Sequence, residues 1–141
     1  MHRTQASGFS LIELLIAITL VGILTAIAVP AYQGYVLGGA RASAAACLLE
    51  YAQFMERVYT TNMTYATDNG DATALPVLQC SEDLSDRYSF DLDDLDSRTF
   101  TLTATAKGPQ ADDDCDSLSY NQAGIKGANG GTGATIVKKC W

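Results

Sequence analysis

Hydrophobic residues concentrate near the start of this 141-residue chain, where Phe9–Val29 forms an almost unbroken apolar segment. The segment is long enough to cross a bilayer as a helix, which takes about 20 apolar residues. It contains one charged side chain, that of Glu13. An ionisable group is costly inside a bilayer, so its presence indicates a function that requires it.

A second pattern begins beyond Pro30, a residue that normally ends or kinks a helix. From about Arg41, apolar side chains recur at helical spacing and predict one buried face: Ala44, Cys47, Leu48, Tyr51, Met55 and Val58. We therefore predict a single helix from Phe9 to about Thr61. Its weak points are three glycines, Gly34, Gly38 and Gly39.

Strand-like alternation replaces helical spacing in the rest of the chain. A polar stretch from Thr60 to Asp86 predicts a long loop, because it is rich in Asn, Asp, Gly and Thr. Apolar and polar residues then alternate over Tyr88–Asp93 and again from Phe100 to Ala106, which predicts two strands joined as a hairpin through Asp93–Arg98.

Two further strands are expected, near Ser117–Asn121 and near Thr135–Cys140. The glycine-rich GIKGANGGTGA between them reads as a flexible connection. The resulting fold class is α+β: a long N-terminal helix packed on a roughly four-stranded antiparallel sheet.

Four cysteines lie beyond the apolar segment, and no two of them form a CxxC pair: Cys47, Cys80, Cys115 and Cys140. Without that spacing, zinc-ribbon and thioredoxin-like sites are disfavoured and disulfides are the better interpretation. Disulfides indicate an oxidising compartment such as the bacterial periplasm or the cell exterior. Three pairings are possible, and topology favours the consecutive one, Cys47–Cys80 with Cys115–Cys140.

The part of the chain beyond Val29 is acidic, because it holds every acid except Glu13 and the formal net charge is −7. A general nucleic-acid binder shows clustered Lys and Arg, so nucleic acid is not an expected partner. The acidic run Asp112–Asp116 opposes the basic residues near the C-terminus, which are Lys126, Lys138 and Lys139.

Catalytic chemistry is not indicated by the residues present. His2 is the only histidine and precedes the apolar segment, so the commonest general base and metal ligand is missing from the rest of the chain. We expect that the protein is not an enzyme and needs no cofactor.

Three aspartates have the D-x-D-x-D spacing with which an EF-hand loop begins: Asp112, Asp114 and Asp116. Ser117 and Ala123 then stand where such a loop requires glycine and glutamate. No metal site is predicted on this basis, although a looser site that uses these acids, or Asp68 and Asp71, stays open.

Three interpretations of the apolar segment are open. A secretory signal peptide would be cut after Ala28, since Ala26-Ile27-Ala28 is an A-x-A-like site, but the run is longer than a usual signal core. A plain membrane anchor would leave Glu13 unexplained. In the third interpretation a leader of residues 1–8 is removed, and the new amino group of Phe9 on a neighbouring helix, offset by about one turn, pairs with Glu13.

The segment GFSLIELLIAITLVGILTAIAVPAY resembles the class III signal segment of type IV prepilins. The resemblance implies that an inner-membrane peptidase cuts after Gly8 and methylates Phe9. It also implies that Glu13 is the assembly glutamate, and that Pro30 marks the position where the helix loosens inside the filament.

The resemblance extends into the rest of the chain. A cysteine in the second half of the helix, the stretch ALPVLQC over Ala74–Cys80 and the C-terminal Cys-Trp resemble PilE-type minor pilins. In that group the last two cysteines bracket a C-terminal loop, as Cys115 and Cys140 would here. Glu50 departs from the pattern, because many major pilins have a second helix-bending proline at this position.

The resemblance implies a prepilin leader at residues 1–8, a transmembrane assembly helix at 9–29 and a globular pilin head at 30–141 that includes the rear half of the helix. It implies a structural subunit, a minor pilin of the type IV pilus, that supports pilus biogenesis, twitching motility and adhesion. The precursor would span the inner membrane once, with its head in the periplasm, and would later join the extracellular fimbrium. Its expected partners are other pilins, the prepilin peptidase and methyltransferase, the inner-membrane assembly platform and membrane lipid.

Three alternatives remain from the sequence. A pseudopilin of a type II secretion system shares the signal segment, but two disulfides and a bracketed C-terminal loop favour a fibre exposed outside the cell. A competence pilin would take part in DNA uptake. A secreted adhesin released after Ala28 would instead begin at Val29.

Overall fold

The computed structural model describes residues 9–141, so the expected leader with Gly8 and His2 lies outside the described residues. The chain divides into two compact units, of which the first ends at Val36 and the second is Leu37–Trp141.

Helix α1, Leu11–Asn62, has 52 residues and confirms the predicted helix within two residues at each end. Pro30 lies inside it. The helix ends at Asn62 because Met63 adopts a left-handed backbone conformation, with φ of 57°. The Met63 N–H then donates to the Tyr59 carbonyl at 2.8 Å, which satisfies one of the last carbonyls of the helix.

The second unit is organised around the rear half of α1. All six residues predicted for the buried face are buried, and Ala52 joins them. Their recurrence at three- and four-residue intervals places them on one side of the helix, which is why this side packs on the sheet while residues on the other side, such as Glu50 and Gln53, stay exposed.

The segment between α1 and the main sheet is more structured than the predicted loop. Two short strands, β1 (Thr67–Asp68) and β2 (Asp71–Ala72), pair as an antiparallel ribbon. A short helix, α2 (Gln79–Asp83), follows. It is tied to α1 by the disulfide Cys47–Cys80.

The main sheet has four antiparallel strands in the order β3–β4–β5–β6. Strands β3 (Tyr88–Asp93), β4 (Thr101–Ala106) and β5 (Ser117–Asn121) confirm three predicted strands. Alternate residues face the helix and form the core with it, among them Tyr88, Phe100, Leu102, Ala104 and Leu118.

The predicted fourth strand was wrong. Strand β6 is Lys126–Ala128, inside the glycine-rich segment that we expected to be a flexible connection. Gly127 pairs with Ser119, and a side chain at Gly127 would collide with the Ser119 hydroxyl. Glycine is typical of loops, but here the absence of a side chain at Gly127 allows β6 to approach β5 closely.

The residues predicted as the fourth strand form a helix, α3 (Ala134–Cys140). The β-branched Ile136 and Val137 favoured a strand, but two lysines in the last turn complement the helix dipole. The helix also brings Cys140 to Cys115, with Cα atoms 5.8 Å apart, where they form the second disulfide. The two disulfides predicted are thus both present.

Candidate functional site

The apolar segment at the start of α1 is exposed throughout the first unit. The large apolar side chains from Phe9 to Val29 are 46–78% exposed. This stretch makes α1 long and apolar enough to cross a membrane, by length and composition. Such a surface cannot remain in water, since soluble proteins rarely expose contiguous apolar patches of this size.

The two threonine hydroxyls of this stretch are satisfied within the helix itself. The Thr19 hydroxyl contacts the carbonyls of Leu15, at 3.0 Å, and Ile16, at 2.8 Å. The Thr25 hydroxyl donates to the Val21 carbonyl in the same manner. Because lipid offers no hydrogen-bond partners, this arrangement suits a helix surrounded by hydrocarbon.

Glu13 lies in the first turn of α1, and Phe9 precedes the helix with 78% of its surface exposed. A carboxylate in the first turn is favoured by the positive end of the helix dipole. Both residues are therefore open to a neighbouring molecule. The structure places Pro30 within the same helix, followed by the exposed Gly34.

A buried polar cluster anchors the start of the second unit. The Gln110 side chain is fully buried, and its Nε2 donates to the Leu37 carbonyl at 3.0 Å and to Asp113 Oδ2 at 2.6 Å. Arg41 Nη1 donates to Asp113 Oδ1 at 2.5 Å. The cluster thus ties the beginning of the packed half of α1 to the turn that follows β4.

Two tyrosines of the core have raised pKa values. Burial, followed by a 2.9 Å hydrogen bond to Glu56, raises the pKa of Tyr65 to about 12. Burial, followed by the negative charge of Asp113, raises the pKa of Tyr88 to about 12. Within the described residues the Tyr88 hydroxyl has no hydrogen-bond partner.

Two of the lysines near the C-terminus, Lys126 and Lys139, make contacts with other side chains. Trp141 Nε1 donates to the Gly127 carbonyl at 2.7 Å, and Lys126 Nζ lies 4.8 Å from the centre of the Trp141 ring. Lys139 forms an exposed 2.9 Å ion pair with Asp114. Its ammonium group lowers the pKa of the Asp114 carboxyl.

No group of three or more His, Cys, Asp or Glu side chains within residues 9–141 is arranged to hold a metal ion. Asp113, which lies within the acidic run, is buried and paired with Arg41. Asp114 in the same run is paired with Lys139 instead.

Comparison with known proteins places these features in a family. Residues 30–119 match the family described as "Type IV minor pilin ComP, DNA uptake sequence receptor", which is more than half of the chain. The chain belongs to this type IV minor pilin family. Residues 3–29 of the pilin also match the prokaryotic N-terminal methylation motif. The resemblance to type IV pilins found in the sequence is confirmed.

Individual relatives agree with this assignment. Fimbrial protein EcpC of Eikenella corrodens is 58% identical to this pilin over 36 residues, which are 26% of this chain and 24% of that protein. The pilin therefore matches about a quarter of the length of this curated relative.

Solved pilin structures share the fold. A type IV pilin from Shewanella oneidensis is 26% identical, with a TM-score of 0.50 over 70% of this chain and 98% of the other. The non-core minor pilin PilV of Neisseria meningitidis shares the fold at 21% identity, with a TM-score of 0.52 over 71% of this pilin and 93% of PilV.

Sequence reasoning missed the buried polar cluster of this pilin. Gln110 contacts Leu37 across 73 positions, and Asp113 contacts Arg41 across 72. No periodic or short-range signal links residues so far apart. The position of Lys126 over Trp141 was missed for a related reason, because it depends on β6, which was read as a loop.

Proposed function

We propose that this pilin is a minor subunit of a type IV pilus, held in the inner membrane before assembly and packed into the fibre by the front of α1. The exposed apolar surface of Leu11–Val29, interrupted by one carboxylate, is the observation that carries the proposal. Such a surface is stable in lipid or against other apolar helices. Membership of the pilin family supports packing against the apolar helices of other subunits as the final state of this surface.

The precursor is cleaved after Gly8 by the prepilin peptidase, which also methylates the new terminus at Phe9. The match to the N-terminal methylation motif and the exposed position of Phe9 support this step. The segment 9–29 spans the inner membrane once, the head from residue 30 onward lies in the periplasm, and the assembly platform transfers the subunit to the extracellular pilus. The two disulfides suit these oxidising surroundings.

Glu13 sets the register between subunits by pairing with the terminal amine of Phe9 on an adjacent helix. Pairing offsets the penalty for a carboxylate in hydrocarbon, and removal of either partner leaves an uncompensated buried charge. Apolar contacts along the front of α1 attract neighbouring helices without fixing their relative position. The pair of Glu13 and Phe9 determines how far one helix is shifted along the other.

The proposal is tested by Glu13→Gln, which keeps the shape of the side chain and removes its charge. We expect the variant to enter the membrane and to be missing from the sheared pilus fraction, as measured by immunoblotting. Glu50→Gln is the matched control, because Glu50 is an exposed acid on the same helix within the second unit. Normal incorporation of the Glu13→Gln variant would contradict the role of the pair.

Mass spectrometry of the amino terminus tests the processing step. We expect a mature chain that begins with methylated phenylalanine at position 9. A chain that begins at Val29 would identify a cleaved signal peptide and a secreted protein instead. An uncut chain would identify a plain membrane anchor.

Twitching motility and adhesion are the cellular roles that we propose for the assembled subunit. Imaging and motility assays of a strain without the gene test this. Fibres that persist while motility or attachment falls would support a minor subunit. If the strain lost all its fibres, and the number of fibres after complementation rose in proportion to the amount of this protein, the protein would be the major subunit instead.

DNA reception is a second candidate function, because the matched family is described as a DNA uptake sequence receptor. Lys126 lies over the Trp141 ring, and Lys138 and Lys139 occupy the last turn of α3 in the same C-terminal segment. These residues lie beyond the matched range 30–119, and the net charge of −7 opposes binding. The lysines are nevertheless the groups that would contact phosphates.

Fluorescence anisotropy with a labelled duplex at increasing salt tests this candidate. Replacing Lys126, Lys138 and Lys139 together by alanine should weaken binding. It should also reduce the slope of log K against log salt concentration by about one for each lysine that contacts a phosphate. Lys107→Ala is the control, since Lys107 is exposed outside this segment. Equal binding by the triple variant and the control would exclude this surface as the DNA site.

A further inference from the structure

Two Asn-Gly dipeptides of the head form turns of the same kind. Asn69-Gly70 joins β1 to β2, and Asn129-Gly130 joins Ala128 to Gly131. The asparagines have φ of 52° and 51°, and the glycines have φ of 95° and 72°. A two-residue turn with positive φ at both positions is the tight hairpin turn that Asn-Gly favours. The head therefore contains a matched pair of turns whose surroundings differ.

An Asn-Gly bond carries a reaction that needs only water. The backbone nitrogen of the glycine, after losing its proton to water or hydroxide, attacks the side-chain Cγ of the asparagine. A C–N bond forms, the Cγ–Nδ2 bond breaks as Nδ2 takes a proton from water, and ammonia leaves a succinimide ring. One water molecule then opens the ring at either carbonyl, which gives aspartate or isoaspartate with no change of oxidation state. Ring closure requires the side chain and the following backbone to move together.

The side chain of Asn129 is held at both ends. Its Nδ2 donates to the Asp114 carbonyl at 2.9 Å, and its Oδ1 accepts from the Ser117 N–H at 3.3 Å. Its own N–H donates to the Ser117 carbonyl at 3.0 Å. Cys115, which lies between Asp114 and Ser117 in the chain, is fully buried and bonded to Cys140. Ring closure at Asn129 would break both side-chain hydrogen bonds, which hold it to a segment fixed by a disulfide.

The surroundings of Asn69 are much looser. Its Nδ2 donates to the carboxylate of the adjacent Asp68 at 3.1 Å, and its N–H donates to Asn62 Oδ1 at 3.4 Å, so its side chain has no hydrogen bond to a distant segment among the described residues. The turn closes a ribbon with two residues in each strand, and isolated two-stranded ribbons are marginally stable. Local opening should therefore free Asn69 far more often than Asn129.

We propose that Asn69 is a site of spontaneous deamidation in the folded pilin and that the fold protects Asn129. The product places a new carboxylate between Asp68 and Asp71, where like charges repel. Isoaspartate also lengthens the backbone, so the two-residue turn no longer closes. Either product weakens the contacts through which Asn62, at the end of α1, holds the ribbon.

Peptide mass mapping of the full chain in detergent, incubated at mildly alkaline pH, tests the proposal. We expect Asn69 to convert at least tenfold faster than Asn129, a ratio that corresponds to about 1.4 kcal/mol between the two opening free energies. In the reduced and denatured chain the two sites should convert at comparable rates, because both are Asn-Gly. Fragmentation that separates isoaspartate from aspartate identifies the products.

Substitution of each asparagine by glutamine assigns the conversion to one site. Asn69→Gln should abolish the early conversion of the folded chain, whereas Asn129→Gln should leave it unchanged. Equal rates at the two sites in the folded chain, or faster conversion at Asn129, would overturn the proposal. So would an unreactive Asn69 in the folded chain that reacts once the chain is denatured.

Discussion

The front and rear halves of helix α1 are both rich in apolar residues, yet they behave in opposite ways. From Leu11 to Val29 the apolar side chains cover the helix all round and are exposed. From Ala44 to Val58 they follow one face and are buried under the sheet. The number of apolar residues does not decide the outcome. Their distribution does, because an all-round apolar helix is satisfied by lipid or other helices and a one-sided helix by its own domain.

Polar groups follow the same division. In the front half, Thr19 and Thr25 bond to carbonyls of their own helix. In the second unit, Arg41 uses Asp113 from a distant turn of the chain. The threonine hydroxyls of the front half thus need no partner outside their own helix, which leaves Glu13 as the group that requires one, whereas Arg41 of the rear half depends on the head around it.

The largest expected effect comes from opening a disulfide of the head. Cys115→Ser combined with Cys140→Ser should lower the free energy of unfolding by about 3–4 kcal/mol, because the bond restricts the unfolded chain. Trp141 is the only tryptophan, so its fluorescence reports on the head during denaturant unfolding. Helicity of the front half should persist. An unchanged denaturation midpoint would show that the head does not depend on this bond.

The comparison is tested most directly by one substitution in each half. Leu48→Ala should lower the free energy of unfolding by about 3 kcal/mol, since Leu48 is fully buried and leaves a cavity. Leu20→Ala should leave the Trp141 transition where it is, because Leu20 is 56% exposed. If the two substitutions shifted the transition equally, the two halves would not be energetically distinct.

Adjacent aspartates provide a smaller test. Asp113→Asn should destabilise the head by about 2 kcal/mol, because it leaves the partly buried Arg41 without its partner. Asp114→Asn should produce no measurable shift, although Lys139 lowers the pKa of Asp114, because the pair is exposed. Chemical denaturation of both variants at neutral pH provides the measurement. A larger loss at Asp114 would contradict the burial argument.

The smallest effect should appear at alkaline pH. The pKa values of Tyr65 and Tyr88 are raised from 10.0 to about 12, so the neutral side chains contribute stability that is complete below pH 10 and is lost as the pH rises toward 12. Absorbance titration should show two late-ionising tyrosines. Tyr88→Phe should remove one of them at little cost in stability, since the hydroxyl has no hydrogen bond among the described residues. A large destabilisation would reveal a partner for this hydroxyl.

Much of the fold could be predicted from local patterns. Helical spacing predicted α1 and its buried face, and alternation predicted β3, β4 and β5. These predictions succeeded because each residue pattern repeats with the period of the element it forms. The position of Glu13 in an apolar span was also visible at once, because a charge in such surroundings is unusual.

The sequence by itself determined that this pilin has an apolar front with one acid, a helix packed along one face and two disulfides. Only the tertiary structure decided that Lys126–Ala128 is a strand, that Ala134–Cys140 is a helix and that Gln110 binds the start of the packed helix. These features depend on contacts between residues far apart in the chain. Packing and disulfide geometry overrode local preference there, since Gly127 must approach Ser119 closely and Cys140 must reach Cys115.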